Sequence, residues 1–244
     1  MKAVILCAGQ GKRLLELTAE TPKVLLTVQG KTILEWSLDN VIANGIKDIA
    51  LVVGFQEEKI VKKIGNEYKG AKITYISNPL YNFTNNLFSV WLCHEFGKDG
   101  FILINGDDLY DKQLITDLIK SEYKDAAVVD LSKTDLPEDA MKATITNNKL
   151  TEVSKVIPRE RISGDAMGIY KFSKEGAAAF FKTLKTFLTN GQHTTWYLAA
   201  LNNMVKTYDF YIVPTNGNFW CEVDDVVDYN AAQEKMAAYL KTKK

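Results

Sequence analysis

Residues 1–26 read MKAVILCAGQGKRLLELTAETPKVLL, and this stretch decides the fold. Val4, Ile5 and Leu6 form the short apolar run of a buried strand, which passes directly into Gly9-Gln10-Gly11-Lys12-Arg13. A turn built on Gly9 and Gly11 lets backbone N–H groups approach phosphate oxygens, because neither residue carries a Cβ. Arg13 and the Lys23 of Pro22-Lys23 add fixed positive charge. The layout is that of a triphosphate cradle.

Spacing excludes three other Gly-rich loops. A Walker loop places four residues between its first Gly and Gly-Lys-Ser/Thr, whereas Gln10 alone separates Gly9 from Gly11-Lys12, and Arg13 follows. A dinucleotide fingerprint needs a small residue where Leu14 stands. A kinase loop leads into a Val-Ala-x-Lys strand, and none follows here.

Outward from this turn, strand-like and helix-like segments alternate through the first half, the pattern of a mostly parallel sheet covered on both faces. Ile33, Leu34, Leu38, Val41 and Ile42 keep helical spacing until Gly45, Ile49 to Val53 reads as a strand, and a helix is predicted between Gln56 and Tyr68. Ile73 to Ile76 and Phe101 to Ile104 are the next strands, the latter running into Asn105-Gly106-Asp107-Asp108. The second half is looser. It predicts strands at Ala126 to Leu131, Ala143 to Thr146, Ala166 to Phe172, Thr207 to Ile212 and Phe219 to Val223. Helices are predicted at Lys174 to Leu184, at Thr194 to Met204 and from about Asp225, with Lys243-Lys244 as a solvated tail.

The 244 residues, 46% of them hydrophobic, suffice for a single large α/β domain with its own core. Thirty basic residues balance thirty acidic ones, so no global field draws the chain to nucleic acid or an anionic membrane, and phosphate binding must be local. The N-terminal strand lacks the marks of a signal peptide and no apolar run reaches membrane-spanning length, which predicts a cytoplasmic location. Cys7, Cys93 and Cys221 suggest neither a disulfide framework nor a zinc site, and His94 and His193 are isolated. A homo-oligomer stays open.

Asp107 and Asp108 close one strand, and Glu222-Val223-Asp224-Asp225 repeats the theme of carboxylates at a strand end. Such a sparse oxygen set suits magnesium, although an Asp pair at a strand end also serves as a turn or helix cap. Ser77 to Asn86 is a loop rich in amides, fit to read a pyrimidine edge or to cap the helical run of Leu87, Val90, Trp91 and His94.

The segments GQGKR and TPKVLL together resemble the Gly-x-Gly-x-Arg…Pro-Lys signature of nucleotidyltransferases acting on sugar phosphates and phosphocholine. The resemblance implies a Rossmann-like, GT-A-like α/β sheet flanked by helices, with residues 1–110 as the nucleotide half and 111–244 as the acceptor half. It implies that Leu6, Ala8, Gly9, Gly11, Lys12 and Arg13 bind the nucleotide, the glycine turn and Arg13 gripping its triphosphate, that Lys23 sits beside the α-phosphate, and that Asp107 and Asp224 hold Mg2+. Asp108 and Asp225 then support or cap.

The run Asn78-Pro79…Tyr81…Asn85-Asn86-x-x-Ser89 is similar to cytidylyltransferases that activate phosphocholine or aminoethylphosphonate, where hexose-phosphate members carry Gln-Pro…Gly-x-Ala. This implies CTP over UTP or dTTP, with Thr84, Asn85 and Ser89 near the base or ribose. Segments around Lys142, Glu152, Lys155 and Asp165 are similar to those that bind the phosphorylated acceptor. There Lys142 and Lys155 would neutralise its phosphate, while Glu152, Asp165 and aromatic residues such as Trp220 would receive an ammonium. By themselves the lysines read as surface residues and each aromatic as core, so the resemblance carries these assignments. The implied reaction transfers CMP to a small phosphorylated acceptor and releases pyrophosphate. Three other readings remain: a sugar-1-phosphate or inositol-phosphate nucleotidyltransferase using UTP, dTTP or CTP, a silent nucleotide-sensing domain, and a glycosyltransferase, which would leave GQGKR…PK unexplained.

Overall fold

The computed structural model describes residues 1–132 and 134–243. Strand Lys2–Cys7 lies inside a 10-stranded sheet, parallel to Asp48–Val53 on one side and to Phe101–Asn105 on the other, and Ala71–Ser77 continues the parallel run beyond Asp48–Val53. The three central strands, Lys2–Cys7, Asp48–Val53 and Phe101–Asn105, are largely apolar because both faces are covered, whereas Ala71–Ser77 is only partly buried. Alternation of side chains sends Val4, Val52 and Leu103 towards Leu87, Phe180 and Leu201. Ala3, Ile5 and Leu51 face the opposite layer with Leu34, Leu38 and Leu114.

Helix Ile33–Ala43 starts at a reciprocal cap: Thr32 Oγ1 accepts from the Glu35 N–H at 3.1 Å, and the Glu35 carboxylate accepts from the Thr32 N–H at 2.8 Å. Thr32→Ala is expected to lower stability by about 1 kcal/mol in urea unfolding, with no change in the slope. An unchanged midpoint would show that the cap contributes nothing.

The sheet changes direction in the second half. Gly164–Phe172 runs antiparallel between Phe101–Asn105 and Ala126–Asp130, and Tyr211–Pro214 lies parallel to the latter. Lys149–Ser154 and Lys142–Thr146 complete that edge, with Lys142 opposite Asp165. A two-stranded ribbon joins Asp108–Tyr110 to Trp220–Glu222, carrying the late carboxylates to the end of strand Phe101–Asn105.

Several elements differ from the sequence reading. The strand expected from Thr207 begins at Tyr211, because the N–H groups of Thr207 and Tyr208 close on the Met204 carbonyl and finish helix Tyr197–Met204. The helix after Gln56 ends at Ile64, where Gly65 takes φ +76°. Helix Lys112–Lys120 and strand Lys149–Ser154 were not anticipated. Lys243 is no free tail: its ammonium lies 2.7 Å from Asp111 Oδ2, and Lys244 falls outside the described residues. Among the described residues no helix is long and apolar enough to cross a membrane.

Candidate active site

A cleft of about 520 Å³ opens at the carboxyl ends of the parallel strands. Leu6, Ala8, Gly9, Gly11, Lys12 and Arg13 line it, as do Lys23, Thr84, Asn85, Ser89, Asp107 and Asp224. Strand order sets its polarity. The amide loop after Ala71–Ser77 lies on one side of the glycine turn, and the carboxylates after Phe101–Asn105 lie on the other. Gly11 holds φ +64° and a Cβ there would stand 2.9 Å from the Lys23 Cβ, whereas a Cβ on Gly9 would meet nothing within 4 Å. Gly11 therefore shapes the turn and Gly9 leaves it open to a ligand.

At the charged end, Lys23 Nζ lies 2.6 Å from Asp107 Oδ2 and 3.0 Å from Asp224 Oδ1, and an Arg13 guanidinium nitrogen lies 2.6 Å from Asp224 Oδ2. Burial opposes the Lys23 charge, but Asp107 and Asp224 outweigh it and raise its pKa. Burial likewise works against the Asp224 carboxylate, and Lys23 and then Arg13 overcome it and lower its pKa. Asp107, Glu222 and Asp224 each bring a carboxylate oxygen within 4.8 Å of the others. Glu222 keeps an exposed face, yet the walls closing around its carboxyl, followed by the charges of Asp107, Asp108 and Asp224, push its pKa upward.

Asp108 is buried beside this group with Oδ2 unpartnered, and burial followed by repulsion from Asp107 raises its pKa well above the usual carboxyl range. A hard cation fits this donor set. All three converging ligands are carboxylates, and the Lys23 ammonium already sits between two of them as positive charge. Asp225 accepts from the Asp228 N–H at 2.9 Å and caps the last helix, Val226–Thr242.

The amide end is internally ordered. The Asn78 Nδ2 donates to Ser89 Oγ at 3.0 Å and to Thr84 Oγ1 at 3.4 Å, and Thr84 Oγ1 donates to the Leu80 carbonyl at 2.8 Å. Asn85 Oδ1 accepts from the Asn86 N–H at the start of helix Asn86–Leu92. The second half straps this loop from behind: the Asn85 N–H donates to the His193 carbonyl at 3.0 Å, and Asn86 Oδ1 accepts from the Tyr197 N–H at 2.9 Å. The Tyr197 hydroxyl donates to Asn105 Oδ1, one residue before the glycine that precedes Asp107.

The residues expected at the acceptor lie outside this cleft. Lys142 is 5% exposed, and its ammonium donates to the carbonyls of Pro137, Glu138, Ala140 and Lys155, so in this conformation it ties a loop together and offers no N–H to a phosphate. Glu152 pairs with Arg161 at 2.6 Å, and the Lys155 ammonium lies over the Trp196 ring at 5.2 Å. Trp220 donates its indole N–H to Asp130 at 3.1 Å, and Asp165 faces Asp130 and Lys142 across the sheet. Sequence reasoning gave no individual role to Gln10 or Asn105 in the cleft wall, nor to Tyr81, Asn82 and Asn86 within the amide loop it singled out, and it left the Glu222 carboxylate beside Asp107 out of the metal set.

The sequence model of the Nucleotidyl transferase family matches residues 2–238. The chain is 38% identical over 115 residues to a CMP-5'-(3-aminopropyl)phosphonate synthase of Streptomyces rubellomurinus, covering 47% of this chain and 18% of that protein. It is 27% identical to a CTP:phosphoglutamine cytidylyltransferase of Campylobacter jejuni, covering 96% of this chain and 100% of that one. The chain spans 54% of the length of several other curated relatives that it matches. Its fold superposes on the CTP:phosphocholine cytidylyltransferase of Streptococcus pneumoniae with a TM-score of 0.73 at 22% identity, covering 96% and 98% of the two chains. A UTP–glucose-1-phosphate uridylyltransferase of Haloferax volcanii also matches, at 31% identity over 71% of this chain and 72% of that one. With the glycine turn, the paired lysine and the strand-end carboxylates in one cleft, and with a match over nearly its whole length, the chain belongs to the nucleotidyl transferase family.

Proposed function

We propose that this protein is a magnesium-dependent cytidylyltransferase of the cytoplasm, which transfers CMP from CTP to a small phosphorylated or phosphonate acceptor and releases pyrophosphate. The observation that carries the reading is Lys23, held between Asp107 and Asp224 beside an open glycine turn. The relatives named for CTP and for phosphonate or phosphate acceptors support the choice of base and acceptor class. The match to a uridylyltransferase supports a second reading, a sugar 1-phosphate acceptor with UTP or dTTP.

In this reading the turn from Leu6 to Arg13 binds the triphosphate through backbone N–H groups and the Arg13 guanidinium, and Lys23 orients the α-phosphate. Asp107 and Asp224, joined by Glu222, would hold the ion, which when bound supplies positive charge to the phosphates. A phosphate oxygen of the acceptor attacks the α-phosphorus in line, the bond to the bridging oxygen breaks, and pyrophosphate leaves. The acceptor phosphate has a second pKa of about 6, so the attacking oxygen is largely ionised at neutral pH and no base is required of the protein. Glu152, Lys155, Asp165 and Trp220 are assigned to the acceptor half, and Lys142 to the loop beside it.

The test measures pyrophosphate release with magnesium, crossing CTP, UTP, dTTP and ATP against phosphocholine, 2-aminoethylphosphonate, inositol phosphate and glucose 1-phosphate. Release confined to CTP with a non-hexose acceptor is expected. Preference for UTP or dTTP with glucose 1-phosphate would replace the reading with the second one.

A further inference from the structure

Two groups that the reading above gives to different ligands hold each other in the structure. Asp224 is assigned to a metal ion and Arg13 to the triphosphate, yet an Arg13 guanidinium nitrogen lies 2.6 Å from Asp224 Oδ2, while Lys23 Nζ lies 3.0 Å from Asp224 Oδ1. Both oxygens of Asp224 thus already face a cation. A divalent ion on either would stand against a positive group in contact with the same carboxylate, and like charges at that range repel. The two cations are not held alike. The Lys23 side chain is 14% exposed and bridges two carboxylates, whereas that of Arg13 is 54% exposed and touches one. Arg13 is the contact that can open.

The pair is not needed to build the site. The main chain places Asp224: its N–H donates to Asp228 Oδ2 at 3.2 Å, and the N–H of the fully buried Val223 donates to the Asp107 carbonyl at 3.0 Å. Arg13 is placed from the other side by the fully buried Leu14, whose N–H donates to the Gly11 carbonyl at 2.9 Å. With both main chains fixed, the guanidinium can leave Asp224 by turning about its own side-chain bonds, and no loop has to move.

We infer that the Arg13–Asp224 ion pair is an autoinhibitory latch; this rests on the nucleotide and metal reading given above. Closed, it keeps Asp224 from a divalent ion and the guanidinium from the triphosphate. A triphosphate that draws Arg13 away frees Asp224 Oδ2 for the ion, and an ion that takes Asp224 frees Arg13 for the phosphates. Each ligand therefore assists the other through the latch, besides binding the other directly, and the assistance is equal in both directions. A divalent ion alone meets the closed latch and binds weakly.

The experiment is equilibrium binding of Mn2+, as the probe ion and without nucleotide, to the full chain in the wild type, Arg13→Ala and Lys12→Ala; the same proteins are then titrated with CTP in the presence of magnesium. Lys12 lies beside Arg13 in the cleft wall, carries the same charge and takes part in none of these ion pairs, so it reports the effect of charge alone. Arg13→Ala is expected to bind Mn2+ roughly three- to tenfold more tightly than the wild type, and Lys12→Ala less than about twofold more tightly. Arg13→Ala should at the same time bind CTP roughly tenfold or more weakly. Opposite signs for the two ligands are what a latch produces, since a damaged site loses both. Thermal unfolding is the folding control, with Arg13→Ala melting within about 4 °C of the wild type. Mn2+ binding that is unchanged or weaker in Arg13→Ala, or equally tightened in Lys12→Ala, would overturn the inference, as would wild-type CTP binding by Arg13→Ala. A wild type that does not bind CTP would instead overturn the reading on which the latch rests.

Discussion

Lys23→Ala should reduce turnover roughly 10²–10³-fold while leaving the protein folded, because a preorganised charge aimed at a reacting phosphate contributes about 3–4 kcal/mol of barrier. The ammonium is the hub of the charged end: without it Asp107 and Asp224 face one another and Glu222 with Arg13 as the remaining contacting cation. Removing one member of a partly buried ion group leaves its partners uncompensated. The variant should therefore melt below the wild type in the absence of divalent ions and regain more of that loss than the wild type does when magnesium is added. Steady-state pyrophosphate release and thermal melts with and without magnesium check both halves. Wild-type turnover in this variant would remove Lys23 from the chemistry.

Gly106→Ala should destabilise the fold by about 3 kcal/mol, at the upper end of what overpacking typically costs. A Cβ at this position would stand 2.1 Å from the Leu6 carbonyl oxygen and 2.8 Å from Val24 Cγ1. The first contact is with the backbone of the neighbouring strand, which pairs with Phe101–Asn105 up to Leu6 opposite Asn105 and has no side-chain freedom to yield. For a chain of this size the expected fall in melting temperature is roughly 6–12 °C. A fall of under two degrees would show that the strand end is looser than the register implies. Because Gly106 precedes Asp107, any relaxation that admits the methyl also moves that carboxylate from Lys23, so turnover should fall along with stability.

What could be read from the sequence was what neighbours in the chain determine. The glycine turn is a property of five consecutive residues, and Asp107 and Asp224 each announce themselves at the end of an apolar run. The hydrogen bond between Gln10 and Asn82 joins loops 72 positions apart, so their pairing carried no signal although Asn82 belongs to the amide loop that stood out. The site of Glu222 depends on the ribbon that pairs Trp220–Glu222 with Asp108–Tyr110, a contact invisible in either segment alone. Lys142 was read as a phosphate ligand from the resemblance; its partners here are main-chain carbonyls, which no residue pattern reveals. Helix Lys112–Lys120 is a different kind of omission. Asp111 caps it through the Gln113 N–H, and Leu114, Ile115 and Leu118 lie on its buried side, so the ordinary start and spacing signals were present.

The pairing of Lys23 with Asp224 also fixes when the site can exist, since its two halves lie 201 residues apart. On the ribosome the glycine turn, Lys23 and Asp107 emerge first, and Glu222 and Asp224 follow only after the intervening strands of the sheet have been made. At roughly 5–20 residues per second the nascent chain spends on the order of ten seconds with its phosphate turn complete and its second carboxylate still unwritten. Until then it holds the cations without the full set of counter-charges. A ribosome-bound intermediate of this protein accordingly has its phosphate turn before it has the carboxylate with which Arg13 pairs.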